Sequence, residues 1–108
     1  MRLPIQITFR DLPHSDALEQ QVREHAVKLE TYFNGLTSCR VVIEALHRHS
    51  THGDRCRVRL ELTASPRKHL VASEQGDDAY ALVRRCFQTA ERQVREHAAR
   101  LNQTIAAE

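Results

Sequence analysis

The sequence predicts an α+β domain in which two helices pack on one face of a four-stranded sheet, in the order β-α-β-β-β-α. Four segments alternate apolar and polar residues with the period of two that is typical of half-buried strands. Two longer segments repeat apolar residues every three or four positions, as amphipathic helices do. Because only one face of each strand is apolar, both helices are expected to cover the same side of the sheet.

The first strand and the first helix occupy the N-terminal third of the chain. The strand lies in RLPIQITFR, where the apolar residues alternate: Leu3, Ile5, Ile7 and Phe9. After the turn DLPHSD, either Ser15 or Asp16 can cap the helix. Apolar residues of the helix recur at spacings of three and four: Leu18, Val22, Ala26, Leu29 and Phe33. The pair Asn34-Gly35 then predicts a left-handed C-terminal cap.

Three further strands are predicted in SCRVVIEAL, RCRVRLELTA and the short segment HLVAS. The first helix forms a right-handed crossover between strands one and two, so these strands are expected to be parallel. The last two strands continue as an antiparallel meander. The inward residues of strands two and three are predicted to be Cys39, Val41, Ile43, Ala45, Cys56, Val58, Leu60, Leu62 and Ala64.

The second helix follows the segment Gln75-Gly76-Asp77-Asp78, which is predicted to interrupt the chain and cap the helix. Its apolar stripe consists of Ala79, Val83, Cys86, Phe87, Ala90, Val94, Ala98 and Leu101. On the opposite side, a sector of about 100° holds the polar residues Arg84, Arg85, Gln88, Arg92 and Arg95. We call these four arginines the arginine ridge.

The composition is that of a soluble globular protein, with 41% hydrophobic and 28% charged residues. A length of 108 residues suits one core, so residues 1–108 are expected to form a single domain. No apolar run approaches the roughly 20 residues that cross a bilayer, and the start lacks the apolar stretch of a signal peptide. We therefore expect a cytoplasmic protein that binds no membrane. Three widely spaced cysteines predict buried apolar residues, not disulfides or a zinc ribbon: Cys39, Cys56 and Cys86.

The positive charge is concentrated in the second half of the chain. Residues 47–108 carry eleven Lys and Arg against eight Asp and Glu, whereas residues 1–46 carry five against six. A solvated helix face would explain the arginine ridge by itself. However, the third strand also alternates Arg55, Arg57 and Arg59 on its outer face, with Arg40, Arg67 and Lys68 nearby. Guanidinium groups fit phosphate oxygens, so this pattern favours nucleic-acid binding. The first helix mixes acidic and basic residues and is predicted to be ordinary solvated surface.

The segment LHRHSTHGDR between strands two and three holds three histidines, His47, His49 and His52. A zinc site needs three or four convergent ligands supported by neighbouring groups. The segment also contains Ser50, Thr51 and Gly53, which offer little to hold such ligands in place. We therefore predict an exposed hairpin tip that binds no metal.

Three short motifs resemble those of a known family. KLETYF at Lys28 to Phe33, DAYA at Asp78 to Ala81 and RQVREH at Arg92 to His97 are similar, in order and spacing, to motifs of the hibernation-promoting factor and ribosome-associated inhibitor family. This family is also known as the sigma-54 modulation or ribosomal subunit interface proteins. The β-α-β-β-β-α order is its fold, and the chain resembles its short form.

The resemblance implies a function and a set of binding residues. Members of the family bind rRNA in the decoding region of the small ribosomal subunit, where they block the mRNA and tRNA channel of idle ribosomes in stationary phase or stress. The positions that match its basic residues are Lys28, Arg84, Arg85, Arg92 and Arg95. Together with Arg55, Arg57 and Arg59, they form the predicted RNA-binding set. A protein of this kind is expected to be a monomer off the ribosome, with no cofactor and no small-molecule substrate.

Two other binding functions stay open on the residues alone. A module for a structured RNA outside the ribosome would also need basic surfaces. A protein-interaction module would differ by binding its partner in a salt-insensitive way. An enzyme is not predicted, because the sequence has no recognisable nucleophile motif and its three glycines are too few for a phosphate loop.

Overall fold

The computed structural model describes residues 3–33, 35–46, 55–65 and 67–107, with side chains to residue 101. The elements follow the predicted order: β1 (Ile5–Arg10), α1 (Asp16–Tyr32), β2 (Leu36–Leu46), β3 (Arg55–Ala64), β4 (Lys68–Gly76) and α2 (Ala79–Ala107). The four strands form one sheet in the order β1-β2-β3-β4. The predicted α+β fold is confirmed.

The strand pairing also agrees with the prediction. β1 runs parallel to β2, with Ile5 opposite Cys39, and α1 supplies the crossover that a parallel pair requires. β2 and β3 are antiparallel, and Ala45 lies opposite Cys56. β3 and β4 are antiparallel as well, so the last three strands form a meander.

The core lies between the sheet and the two helices. α2 packs along β3 and β4, and α1 packs beside α2. The inward strand residues Val41, Ile43 and Val58 are fully buried, as are Val22 of α1 and Val83 of α2. Full burial of one such side chain stabilises the folded state by about 1.5–3 kcal/mol. Burial of the apolar faces of the strands and helices therefore favours packing of both helices on the inner face of the sheet. The outer face of the sheet is left to solvent.

Side-chain caps fix the start of both helices. The Ser15 hydroxyl accepts a hydrogen bond from the Leu18 N–H at 3.2 Å. The Asp78 carboxylate accepts bonds from the N–H groups of Tyr80 and Ala81, at 3.1 and 3.3 Å. Each of these contacts satisfies a backbone donor that the helix leaves free, an effect of about 1 kcal/mol.

The end of α1 differs from the prediction. The helix ends at Tyr32, and Phe33 takes the cap position with extended backbone, φ −157°. The Phe33 ring packs against the core, and the helix therefore ends before the predicted cap. Asn34 lies outside the described residues.

The boundary between β4 and α2 also corrects the prediction. Gln75 and Gly76, predicted to interrupt the chain, belong to β4 because they pair with Arg57 and Cys56 of β3. The interruption therefore begins at Asp77. A side chain at Gly76 would crowd Leu82, since a Cβ there would lie 3.1 Å from Leu82 Cδ2.

Two buried residues of α2 were missing from the predicted apolar stripe. Leu82 is 1% exposed and His97 is 9% exposed. Both lie beside the predicted stripe. They are buried because α2 packs against β4 and against the end of α1. The width of the buried stripe thus depends on what packs against the helix.

Candidate nucleic-acid interface

The arginine ridge lies on the solvent side of α2, and all four of its side chains are exposed. The structure divides the ridge into two pairs. Arg84 and Arg95 lie on the side towards α1, where they approach the side chains of that helix. Arg85 and Arg92 lie on the side towards β4, where Glu74 is their acidic neighbour. The ridge therefore presents two basic strips separated by Gln88.

Arg95 is the most constrained arginine of the ridge. Its guanidinium carbon lies 4.6 Å from the centre of the Tyr32 ring. Its Nη2 atom also lies 3.3 Å from Glu91 Oε1, one helical turn away. Exposed contacts of these two kinds contribute only about 0.3–1 kcal/mol each. Both contacts favour one orientation of Arg95, and the Glu91 carboxylate offsets part of its charge.

The other three ridge arginines are available to a ligand. Within the ranges that the structure describes, Arg84, Arg85 and Arg92 form no salt bridge. Lys28 of α1 is likewise exposed and without an acidic partner among the described residues. Cations that are not neutralised within the protein are those that can release counterions from RNA phosphates.

A groove of about 260 Å³ separates α1 from α2 beside these cations. Its lining consists of His25, Lys28, Leu29, Tyr32, Arg84, Phe87, Gln88 and Glu91. The His25 ring stacks on Phe87, with ring centres 5.2 Å apart and planes inclined by 16°. Burial lowers the pKa of His25, and the charges of Lys28 and Arg84 lower it further, against the opposing charge of Glu24.

The predicted strand arginines lie on the outer face of the sheet. Arg55 and Arg59 are exposed and Arg57 is half-buried. Two of them are paired with carboxylates: Arg57 with Glu44 at 3.5 Å and Arg59 with Glu61 at 3.6 Å. Arg57 also donates to the Gln75 side-chain oxygen at 3.1 and 3.2 Å. The outer face of the sheet thus carries both signs of charge, although arginine predominates.

The eight predicted RNA-binding residues do not form one continuous surface. Because α2 covers the inner face of the sheet, its ridge points away from the outer face. Lys28 and the ridge therefore lie on the helical side of the molecule, and Arg55, Arg57 and Arg59 lie on the opposite side. A flat ligand could contact only one of these two surfaces at a time.

Two residues beside the ridge were not predicted as part of a site, His25 and Tyr32. The outer side of the first helix is predicted to be ordinary solvated surface, but its two basic residues have different surroundings. Arg23 forms a salt bridge with Glu19 at 3.7 Å, whereas Lys28 faces the groove and Arg84. His25 and Lys28 are three positions apart, so the sequence indicates that they lie on the same face of the helix. Which helix face meets α2 could not be read from that spacing.

Sites of other kinds receive little support in the part of the chain that the structure describes. No group of three or more His, Cys, Asp or Glu side chains there could hold a metal ion. His47, His49 and His52 fall outside the described residues, so their lack of metal stays a prediction. Cys39 and Cys86 are buried and Cys56 is partly buried, all three as free thiols. Neither described helix is long and apolar enough to span a membrane.

Several solved structures share this fold. A ribosomal subunit interface protein from Coxiella burnetii superposes with a TM-score of 0.75 at 15% sequence identity, over 90% of this chain and 99% of that chain. The N-terminal domain of Protein Y from Thermus thermophilus superposes with a TM-score of 0.67 at 21% identity, again over 90% of this chain and 99% of that chain. At these identities the likeness concerns the fold alone.

Sequence comparison assigns the family. No curated protein matches the chain significantly. The family model described as sigma 54 modulation protein / S30EA ribosomal protein matches residues 5–102, which covers all six elements but the end of α2. This agrees with the resemblance of the three short motifs. The chain therefore belongs to the sigma 54 modulation and S30EA ribosomal protein family, a family of ribosome-associated factors.

Proposed function

We propose that this protein is a translation inhibitor and hibernation factor that binds rRNA in the decoding region of the small ribosomal subunit. There it would block the channel for mRNA and tRNA. The observation that carries the proposal is the presence of three exposed ridge arginines without a salt bridge among the described residues: Arg84, Arg85 and Arg92. Membership of a ribosome-associated family supports rRNA as the ligand of these arginines.

The physical basis is the attraction between guanidinium groups and RNA phosphates. Arginine presents planar donors that can contact two phosphate oxygens at once. Each such contact releases condensed counterions, which makes the affinity strongly dependent on salt. A rigid helix that presents several arginines along one side suits an irregular rRNA surface, because contacts to phosphate fix position without reading sequence.

The proposed activity is occupancy of a site, not catalysis. In this proposal residues 1–108 act as one ribosome-binding domain, in the cytoplasm and as a monomer off the ribosome. The helical side of the molecule faces the rRNA. Because Arg57 and Arg59 are paired with glutamates, the outer face of the sheet is assigned a weaker contribution.

Sedimentation tests the proposal directly. Lysate from stationary-phase cells is separated on a sucrose gradient, and the protein is expected to travel with small subunits or with whole ribosomes. A variant with Gln at Arg84, Arg85, Arg92 and Arg95 should fold, because Gln keeps helix propensity nearly constant, but should leave the ribosomal fractions. It should also inhibit translation in an extract far less than the parent.

A charge-matched control separates the ridge from net charge. It carries Gln at four arginines that lie outside α2: Arg10, Arg23, Arg40 and Arg67. This control should sediment with ribosomes nearly as the parent does. If the ridge variant and the parent bind ribosomes equally well, the proposal is wrong. Salt-insensitive capture of a protein would instead support an interaction module, and binding to structured RNA without ribosomes would support a different RNA target.

A further inference from the structure

The outer face of the sheet contains a trough of about 510 Å³. It lies on the opposite side of the molecule from the arginine ridge, because α2 packs against the inner face of the same sheet. Side chains from all four strands line the trough: Arg10, Arg40, Val42, Glu44, Arg57, Arg59, Glu61, Ser73 and Gln75. The lining holds four arginines and two glutamates, so positive charge is in excess there.

The two glutamates of the trough are already paired with side chains of β3 and β4. Glu44 lies 3.5 Å from Arg57. Glu61 lies 3.6 Å from Arg59, and His69 also approaches Glu61 at 3.6 Å. Both carboxylates are therefore engaged on the side of the trough away from β1.

Arg10 and Arg40 are the unpaired cations of the trough. Both are exposed, and neither has an acidic partner among the residues that the structure describes. Arg10 lies opposite Glu44 of β2, but Glu44 pairs with Arg57. Because Arg40 precedes Glu44 by four residues, Arg10 and Arg40 are about 13 Å apart along the strands. Half-buried Val42 lies midway between them on the same face.

An extended peptide has the same repeat as these three side chains. Residues i and i+4 of a strand lie about 13 Å apart and point to one side, with residue i+2 midway between them. A segment packed face to face on the sheet could place carboxylates on Arg10 and Arg40 and an apolar side chain on Val42. Guanidinium groups bind carboxylates through pairs of parallel hydrogen bonds, so the charges and the spacing are both complementary.

We propose that the outer face of the sheet, at Arg10, Val42 and Arg40, is a docking site for an extended acidic segment of a partner protein. The segment carries Asp or Glu at positions i and i+4 and a small apolar residue at i+2. Since the site lies on the opposite side from the arginine ridge, the partner can bind while the helical side of the molecule contacts rRNA. The site is a second interface, and it does not depend on the proposed function.

The composition of this face favours a protein segment over RNA. Of the chain's three Phe and two Tyr, Phe9 packs against the core and the others belong to α1, its cap or α2. Unpaired bases therefore find no Phe or Tyr ring to stack on within the described part of this face. Val42 offers an apolar contact that a phosphate cannot use. Carboxylates, in contrast, already pair with Arg57 and Arg59 in the same trough.

An amide NMR titration of the full chain tests the docking site. The probe is the peptide Ser-Glu-Ser-Val-Ser-Glu-Ser, which should shift the signals of β1 and β2 around Arg10 and Arg40. One control peptide carries Gln in place of both Glu residues. The other, Ser-Glu-Ser-Val-Glu-Ser-Ser, keeps the composition but turns one carboxylate to the opposite side of the strand. Each control should bind more weakly, by about fivefold for each exposed ion pair that is lost.

Two charge-matched variants separate the two sides of the molecule. Arg10→Gln, Arg40→Gln should lose the peptide-induced shifts and still sediment with ribosomes. Arg85→Gln, Arg92→Gln removes the same charge from the ridge and should keep the peptide-induced shifts. The amide spectrum of each variant without peptide reports whether it is folded. A short peptide has no condensed counterions to release. Its salt slope, the change of log affinity with log salt concentration, should therefore be shallower than that of RNA on the ridge.

Three results would overturn the docking site. They are equal binding of the two Glu-containing peptides, unchanged peptide binding by the Arg10→Gln, Arg40→Gln variant, and an oligouridylate that shifts the same amides at lower concentration than the peptide does. The last result would place RNA on the outer face of the sheet. Expected peptide binding by a protein that does not sediment with ribosomes would support the docking site and overturn the proposed function.

Discussion

The imidazole of His97 donates a hydrogen bond from Nε2 to the backbone carbonyl of Ser65, 3.0 Å away. This contact joins α2 to the turn between β3 and β4. The ring of Phe33, at the end of α1, also meets the His97 ring edge-on, with centres 5.4 Å apart. One nearly buried side chain thus connects both helices with the turn between β3 and β4.

Replacement of His97 by Ala should lower the free energy of unfolding by about 2 kcal/mol. The loss combines about 1 kcal/mol for the hydrogen bond and a similar amount for the aromatic pair. Urea denaturation of the purified variant measures it. His69→Ala is the matched control, because the side chain of His69 is 56% exposed, and it should change stability by less than about 0.5 kcal/mol. Equal stability of both variants would show that His97 has no such role.

The two arginine surfaces should differ in their contribution to ribosome binding. Removal of two ridge charges, Arg85→Gln and Arg92→Gln, should lower the salt slope for purified small subunits by about 1.4–1.8. The matched sheet variant, Arg57→Gln and Arg59→Gln, should lower it by less, because Glu44 and Glu61 already neutralise these arginines. Filter binding at several salt concentrations measures both slopes. A larger effect of the sheet variant would place the RNA on the outer face of the sheet.

The cysteines should react in an order that follows their burial. Burial raises the pKa of Cys39 to about 12, and burial with the charge of Glu74 raises the pKa of Cys86 to about 12. At pH 8 only about 1 in 10,000 of such thiols is the reactive thiolate. We expect iodoacetamide to alkylate Cys56 first, although burial and then Asp78 and Asp77 raise its pKa as well. Mass spectrometry of the native and urea-treated protein gives the order, and fast labelling of Cys39 in the folded protein would contradict it.

The stability of the free protein should fall in mildly acidic solution through His25. Its pKa is lowered in the folded state, mainly by burial, so the unfolded chain binds the proton more readily. The free energy of unfolding should therefore decrease as the pH drops through about 6.5 and level off below the folded pKa. Urea denaturation of the parent and of His25→Gln at several pH values isolates the effect. The parent should lose more stability than the variant, and parallel curves would contradict this assignment.

Local periodicity was sufficient to predict most of the fold. Alternation placed Val41, Ile43 and Val58 on the inner face of their strands, because successive strand residues point to opposite sides. Helical spacing likewise placed Val22 and Val83 in the core. The exposed arginines of α2 follow from the same geometry, since the polar side of an amphipathic helix lies opposite its apolar stripe.

The sequence by itself determined the order of the elements, the inward faces and the outward direction of the ridge, because all three depend on neighbours along the chain. Only the tertiary structure decided the rest. Gln75 and Gly76 continue β4 because β3 offers them partners, despite their tendency to form turns. The division of the ridge into two pairs, and the meeting of His25 with Arg84, depend on how α1 lies against α2. Such contacts join residues that are far apart in the chain, and no local sequence pattern encodes which side chains will meet.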